Sequence, residues 1–190
     1  MHSLTRFNRL LLAGLATVAA ALPVAQVAQA AQAGPAEPGE VPTKVQVEDG
    51  HKVFSVQHAT GVQIYKCNAT ATGHSWGFVA PRADLVDDKG KTMTHYAGPT
   101  WKAEDGSTIK GQRVDGVNVD PKAIDWLLLR GVSPSAGADG DQLTNTSFIQ
   151  RLNTTGGVAP AAGTCNADTA GAVEEVPYTA DYYFWKPTGH

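Results

Sequence analysis

Residues 83–114 read ADLVDDKGKTMTHYAGPTWKAEDGSTIKGQRV, and this stretch contains two hairpin signals in succession. Two turn sequences, Asp87–Gly90 and Asp105-Gly106, each separate a pair of short segments in which polar and apolar residues alternate. The four segments are Ala83–Val86, Thr92–Tyr96, Thr100–Ala103 and Thr108–Val114. Asp-Gly readily adopts the positive φ angles that tight hairpin turns require. The stretch therefore predicts two antiparallel hairpins.

The rest of the chain continues this pattern of short apolar segments between turns. Segments rich in β-branched and aromatic residues predict further strands at Lys52–Val56, Val62–Cys67, Ile124–Leu129, Ser147–Leu152 and Tyr182–Trp185. No window repeats apolar residues at helical spacing over three turns. We therefore predict an all-β domain, an antiparallel sandwich or barrel of roughly nine short strands. At most one or two short helices are expected, at Pro121–Trp126 or Ala167–Glu174.

The N-terminal 30 residues have the three parts of a secretory signal peptide. Arg6 and Arg9 form a basic head, Leu10–Leu22 is apolar, and Ala28-Gln29-Ala30 is a small-residue cleavage sequence. A membrane anchor is the alternative, but a bilayer needs about 20 apolar residues and this run is shorter. Cleavage is expected after Ala30 or after Ala33, so the mature protein is predicted to be secreted or periplasmic.

The remaining chain is predicted to be a linker followed by one domain. Residues 31–43 contain three prolines among Ala, Gly and Glu, which is typical of a flexible linker. Residues 44–190 are then a single all-β domain, a usual size for one domain. Removing the two leader arginines lowers the formal charge from −3 to −5. This balance argues against nucleic acid and anionic membrane surfaces as partners, and no other segment is long enough to span a membrane.

The mature chain contains two cysteines, Cys67 and Cys165. Exported compartments oxidise thiols, so a disulfide between them is expected. A metal pair or a catalytic thiol is less favoured, because the two residues are far apart and form no Cys-x-x-Cys pair.

Catalytic and metal-binding motifs are weak. The histidines in or beside predicted strands are His58, His74 and His95, and none has the H-x-H or H-x-x-x-H spacing of a metal site. The Gly-x-Ser-x-Gly motif of serine hydrolases is absent. Asp125 and Asp181 lie in or next to apolar strands, where a carboxylate needs solvent or a partner. We expect ion pairs for them, with Arg82, Arg113, Arg130 or Arg151 as the candidate partners.

The best candidate for ligand binding is the segment from His95 to Trp101. Tyr96 and Trp101 flank Gly98-Pro99, which interrupts regular strand pairing and could turn an aromatic ring outward. Aromatic faces stack on flat apolar surfaces such as those of sugars. The tentative ligand-binding residues are therefore His95, Tyr96, Trp101, Arg113 and Asp181. Packing of Trp101 in the core is the alternative.

Several segments together carry a family resemblance. They are Gly61–Cys67, His95–Trp101, Asp105–Ser107, Ile149–Thr154 and Val176–Phe184. They resemble the exported domain-of-unknown-function family 3455 of bacteria and fungi, and the resemblance implies no established activity. Some fungal members are labelled malate dehydrogenase. That label is not expected to apply, because no Gly-x-Gly-x-x-Gly motif opens a helix after a strand and no βαβ alternation is present.

These observations predict an exported protein that binds a small molecule or glycan, or serves as a structural module, without a cofactor or metal. An extracellular hydrolase or metal-dependent enzyme is the alternative. Converging titratable groups in a cleft would favour the enzyme, whereas an aromatic surface without them would favour binding. The sequence specifies neither a particular ligand nor an oligomeric state.

Overall fold

Eight antiparallel strands close into a barrel in the computed structural model, which describes residues 35–189. The strands are β1 His51–Thr70, β2 Gly73–Val86, β3 Thr92–Tyr96, β4 Thr100–Ala103, β5 Thr108–Val117, β6 Trp126–Ser135, β7 Phe148–Gly156 and β8 Val173–Pro187. Each strand pairs with the next one in sequence, and β8 pairs with β1 to complete the circle. The predicted signal peptide, residues 1–30, lies outside the described residues.

The all-β prediction is confirmed, and of its two architectures the structure adopts the barrel. Eight strands form instead of roughly nine, because the segments 52–56 and 62–67 belong to one continuous strand, β1. Three 3-10 helices interrupt the loops, at Thr43–Val45, Ala162–Thr164 and Ala167–Thr169. The last of these lies in a segment that was expected to be helical, whereas Trp126 begins a strand.

Gly61 explains why β1 continues where the sequence indicated a break. A Cβ atom at this position would lie 2.2 Å from the Arg82 carbonyl oxygen and 2.5 Å from the Cα of Ala83. Glycine inside a strand often marks such a close backbone approach rather than a turn. The absence of a side chain at residue 61 therefore lets β1 and β2 pack closely while the strand continues.

Both predicted hairpin turns are present and are held by aspartate side chains. Asp87 Oδ1 accepts hydrogen bonds from the backbone N–H groups of Lys89 and Lys91, at 2.9 and 2.8 Å. Asp105 Oδ1 accepts from the N–H of Ser107 at 2.9 Å, and Gly106 has a φ of 82°. Short polar side chains that satisfy turn backbone in this way are the physical reason for the Asp-Gly signal.

Alternate residues of every strand point into the barrel and fill it. The largest inward side chains that are almost fully buried are Leu85, Trp101, Ile109, Ile149, Tyr182 and Phe184. The interior of an eight-stranded barrel is just wide enough for side chains to fill it or for one small ligand. Gly111 makes room for the indole, since a Cβ there would lie 2.9 Å from the Trp101 ring.

A second apolar cluster lies outside the barrel, beneath the N-terminal segment. Val45 is fully buried against outward side chains that include Leu128, Phe148 and Trp185. Val41 also packs against this cluster. The end of the segment predicted as a linker, residues 31–43, therefore packs on the barrel wall, because Val41 contacts this apolar cluster.

The predicted disulfide between Cys67 and Cys165 is present, with the two Cα atoms 5.3 Å apart. It joins β1 to the loop between β7 and β8 across a sequence separation of 98 residues. Loop-closure entropy gives a bridge of this span a stabilisation of about 4.7 kcal/mol. Between residues 35 and 189 the structure contains no helix both long and apolar enough to cross a membrane.

Candidate functional site

The outer surface of β1, β2 and β3 presents a grid of side chains in register. The hydrogen-bonded pairing places Thr60 beside Asp84 and Asp84 beside Thr94. The neighbouring row is formed by His58, Val86 and Thr92. These residues point outward because the residues between them along each strand, such as Ala59, Leu85 and Met93, are buried inside the barrel. We name the six residues of the two rows the outer grid.

All six side chains of the outer grid line one open groove. Strands lie about 4.8 Å apart and rise about 3.4 Å per residue, so the three strands and three residue positions of the outer grid span about 10 by 7 Å. Among the described residues, the side chains of Thr60, Asp84 and Thr94 make no hydrogen bond to another protein group. Two hydroxyls and one carboxylate therefore lie in a row, and each is free to form hydrogen bonds with a ligand or with water.

His58 borders the groove and is held by a carboxylate. Its Nδ1 lies 2.6 Å from Asp181 Oδ1, and Asn153 Nδ2 donates to Asp181 Oδ2 at 2.8 Å. The other ring nitrogen, Nε2, lies 3.3 Å from Asp88 Oδ1. The hydrogen bond to Asp181 raises the pKa of His58, partial burial opposes it, and Asp88 adds a smaller increase.

A histidine held by an aspartate in this way can accept or donate a proton at Nε2. Among the described residues, no serine, threonine or cysteine side chain is hydrogen-bonded to His58. The arrangement therefore has the proton-transfer part of a catalytic triad without an attacking hydroxyl or thiol.

Tyr96, like Asp181, is a predicted site residue that lies on this outer surface. It follows Thr94 by two positions on β3, so it points to the same side, and it is 39% exposed. Its aromatic ring stands at the end of the β3 column of the outer grid. An exposed ring beside hydroxyl and carboxylate groups combines the apolar and polar contacts that a sugar requires.

Trp101 and His95 lie inside the barrel. Trp101 is 1% exposed and His95 is 3% exposed, and their rings stack with centroids 4.1 Å apart. Trp101 therefore packs in the core, which was the alternative interpretation, and its ring is not available on the outer surface. Tyr182 packs against both rings at centroid distances of 5.4 Å.

His95 is neutral in this setting. Burial lowers its pKa to about 3, the hydrogen bond to the Thr100 carbonyl oxygen opposes this decrease, and the positive charge of Arg151 adds to it. That contact, 2.9 Å from Nδ1, places the proton on Nδ1 because a carbonyl oxygen can only accept. Across residues 35–189 no group of three His, Cys, Asp or Glu side chains is placed to hold a metal ion.

The two remaining predicted site residues form separate polar contacts. Arg113 lies 3.4 Å from Asp125, which gives Asp125 the ion pair expected for it. Asp181 pairs with His58 and Asn153 rather than with an arginine. The five predicted residues therefore divide into two inside the barrel, two at the borders of the outer grid, and Arg113 in its own ion pair.

Thr60, Asp84 and Thr94 were not among the ligand-binding residues predicted from the sequence. Each occupies an outward position of a strand, and period-two alternation marks those positions. Alternation cannot show that the three residues adjoin across strands, because the register is set by pairing between distant segments.

Comparison with known protein families places the chain in one of unknown function. A family model described as a protein of unknown function, DUF3455, matches residues 48–186, and the chain belongs to this family. The match spans the barrel from just before β1 almost to the end of β8. No curated protein and no solved structure matches the chain. The malate dehydrogenase label gains no support, since the described strands are joined antiparallel.

Proposed function

We propose that this member of the DUF3455 family binds a small glycan or similar polyhydroxylated molecule in the outer groove. The observation that carries the proposal is the row Thr60–Asp84–Thr94, which presents unpaired hydroxyls and a carboxylate beside the exposed ring of Tyr96.

The chemistry of the groove suits a sugar. Hydroxyls both donate and accept, and a carboxylate accepts hydrogen bonds at two oxygens, so the row can pair with adjacent sugar hydroxyls. Val86, which lines the groove and is 44% exposed, supplies an apolar contact for the C–H face of a pyranose ring, and Tyr96, two residues beyond Thr94 on β3, supplies one at the other end of the row. A groove of about 10 by 7 Å has room for one sugar ring.

The proposed location is compatible with this ligand class. The disulfide is of the kind that persists in oxidising, exported compartments. Together with the predicted signal peptide, it supports a protein that meets cell-wall and extracellular glycans. We propose a secreted or periplasmic binding module on this basis.

The test is a screen of the mature protein, residues 31–190, against a glycan array and cell-wall fragments. Asp84→Ala and Tyr96→Ala should each weaken binding of a ligand found in this way by about five-fold or more, the equivalent of one to two hydrogen bonds or one stacking contact. Glu48→Ala removes an exposed carboxylate away from the groove and should leave the affinity unchanged.

Two results would count against the proposal. One is the absence of any saturable glycan ligand for the folded wild-type protein. The other is a ligand whose affinity is the same for wild type, Asp84→Ala and Tyr96→Ala.

Hydrolysis of a bound glycan is the second candidate function, and the His58–Asp181 contact of 2.6 Å favours it. His58, oriented by Asp181, would then take a proton from the water that attacks the anomeric carbon and return it to the departing sugar oxygen as the glycosidic bond breaks. Mass spectrometry of glycan incubated with the wild-type protein should show shorter products, and His58→Gln should abolish them even at a glycan concentration that saturates the variant. If the glycan is unchanged after prolonged incubation, hydrolysis is excluded and binding remains the proposed function.

A further inference from the structure

β2 has an edge that no strand covers over most of its length. It pairs with β1 from Gly73 to Val86 but with β3 only from Ala83 to Val86, because the β3–β4 hairpin is short. Among the described residues, residues 73–81 have no strand partner on the side away from β1 and form no backbone hydrogen bond to a loop. An exposed strand edge is a template on which another strand can pair.

One part of this edge carries features that block pairing, and the other part does not. Val79 has no partner on β1 and forms a bulge, Pro81 has no N–H to donate, and Arg82 is charged. Bulges, prolines and charges keep edge strands from pairing with other chains. Residues 74–78 contain no bulge, no proline and no lysine, arginine, aspartate or glutamate. The segment His74–Phe78, which we name the open edge, is therefore the part that can accept a strand.

The two faces of the open edge differ in the size of their side chains. His74, Trp76 and Phe78 alternate along the strand and share one face, and Phe78 is 56% exposed. Ser75 and Gly77 lie on the other face. Antiparallel pairing of this segment with a copy of itself, centred on Trp76, places aromatic rings beside aromatic rings and small residues beside small residues. The open edge is therefore complementary to itself.

The open edge is held in place by the rest of the fold. Trp76 Nε1 donates a hydrogen bond to Thr164 Oγ1 at 3.0 Å. Trp76 also pairs with Cys67 on β1, and the disulfide joins Cys67 to Cys165, which follows Thr164 in the loop between β7 and β8. A strand edge that is already ordered loses less conformational entropy when it pairs with another strand.

We propose that the chain forms a two-fold symmetric dimer in which the open edge pairs antiparallel with the open edge of a second copy. Trp76 then lies beside the partner's Trp76, and Phe78 lies beside the partner's His74. Cross-strand aromatic pairs stabilise a sheet, whereas like charges placed opposite each other destabilise it. The chain has a net negative charge, but the open edge contains no acidic residue, so two copies meet there without like-charge repulsion. The outer groove lies further along β2, at Asp84 and Val86, so the dimer does not depend on the proposed glycan function.

Analytical ultracentrifugation and light scattering of the mature protein, residues 31–190, test this proposal. Wild type should be a dimer at about 100 μM and should dissociate on dilution, since an interface built on one strand pair is small. Phe78→Lys should raise the dimer dissociation constant at least ten-fold, because it removes an aromatic contact and places a charge within the strand pair. Val173→Lys is the matched control. This valine is equally exposed, at 56%, but lies on β8, and its replacement should leave the dissociation constant unchanged.

His74→Lys is a second variant that decides the matter if Phe78→Lys does not fold. His74 lies opposite the partner's Phe78 in the proposed pair, so this variant should also weaken dimerisation at least ten-fold, while its circular dichroism spectrum stays that of wild type.

Mixing two single variants, His74→Cys and Phe78→Cys, tests the register. The mixture should form a disulfide-linked dimer faster than either variant alone, because the two new cysteines face each other only in the mixed pair. The proposal is overturned by a wild-type protein that is monomeric at about 100 μM, even if its edge binds an unrelated extended peptide. It is also overturned by an unchanged dissociation constant in folded Phe78→Lys or His74→Lys, by an equal rise in Val173→Lys, or by a mixture that crosslinks no faster than its components.

Discussion

His95 and Tyr96 are adjacent in the chain, yet they belong to two different regions of the molecule. His95 is buried inside the barrel, stacked on Trp101, and burial lowers its pKa to about 3. Tyr96 lies on the outer surface, 39% exposed, at the edge of the outer grid. One segment that the sequence indicated as a single site is therefore divided by strand alternation between the packed interior and an accessible surface.

The largest expected effect separates the two aromatic residues of this segment. Trp101→Ala should lower the free energy of unfolding by about 3 to 5 kcal/mol, because it removes a fully buried indole and leaves a cavity. Tyr96→Ala should change it by less than about 1 kcal/mol, since Tyr96 lies on the outer surface and is 39% exposed. Denaturant unfolding followed by circular dichroism measures both. Equal losses of unfolding free energy in the two variants would contradict the placement of Trp101 in the interior and Tyr96 on the outer surface.

A smaller effect is expected for a glycine on the interior side. Gly111→Ala should cost about 1 to 3 kcal/mol, because the new methyl group would lie 2.8 Å from Leu129 Cδ2 and 2.9 Å from the Trp101 ring. Gly163→Ala is the matched control, since nothing lies within 4 Å of a Cβ there. The melting temperature of Gly111→Ala should fall and that of Gly163→Ala should not. A Gly111→Ala protein as stable as wild type would show that the indole has more room than its contacts indicate.

The smallest effect concerns the outer surface and depends on pH. Asp181 raises the pKa of His58 above its ordinary value of 6.5. The resulting stabilisation is present in full below pH 6.5 and is lost as the pH rises through the raised value in the folded state. Because the His58 side chain is 48% exposed, solvent screening holds the effect to well under about 1 kcal/mol.

Comparing wild type with His58→Gln at pH 5.5 and 8.5 measures this contribution. Wild type should exceed the variant in unfolding free energy at pH 5.5, and the difference should shrink by pH 8.5. Repeating the comparison in an Asp181→Asn background should remove most of the pH dependence. A stability difference that grows with pH would show that Asp181 is not the group that stabilises protonated His58.

Much of the fold was predictable because it depends on local chemistry. Asp-Gly sequences predicted both turns, and alternation predicted most of the strands. The continuation of β1 through Gly61 was missed, since a glycine in a polar segment is typical of a turn and only the nearby backbone of Arg82 shows otherwise. The candidate site was predicted in part. Tyr96 and Asp181 border the outer grid, but the partnership of Asp181 with His58 joins residues 123 positions apart and has no local signal.

The sequence by itself determined the all-β character, the two hairpin turns, the disulfide partners and the family resemblance, because each depends on residue type or short-range spacing. Only the tertiary structure decided that the sheet closes, that Trp101 lies inside, and that Thr60, Asp84 and Thr94 stand in one row. Closure requires residues 51–66 of β1 to pair with residues 173–187 of β8. Such pairing is selected by the packing of all the inward side chains together, and a one-residue change of register would exchange the two faces of a strand.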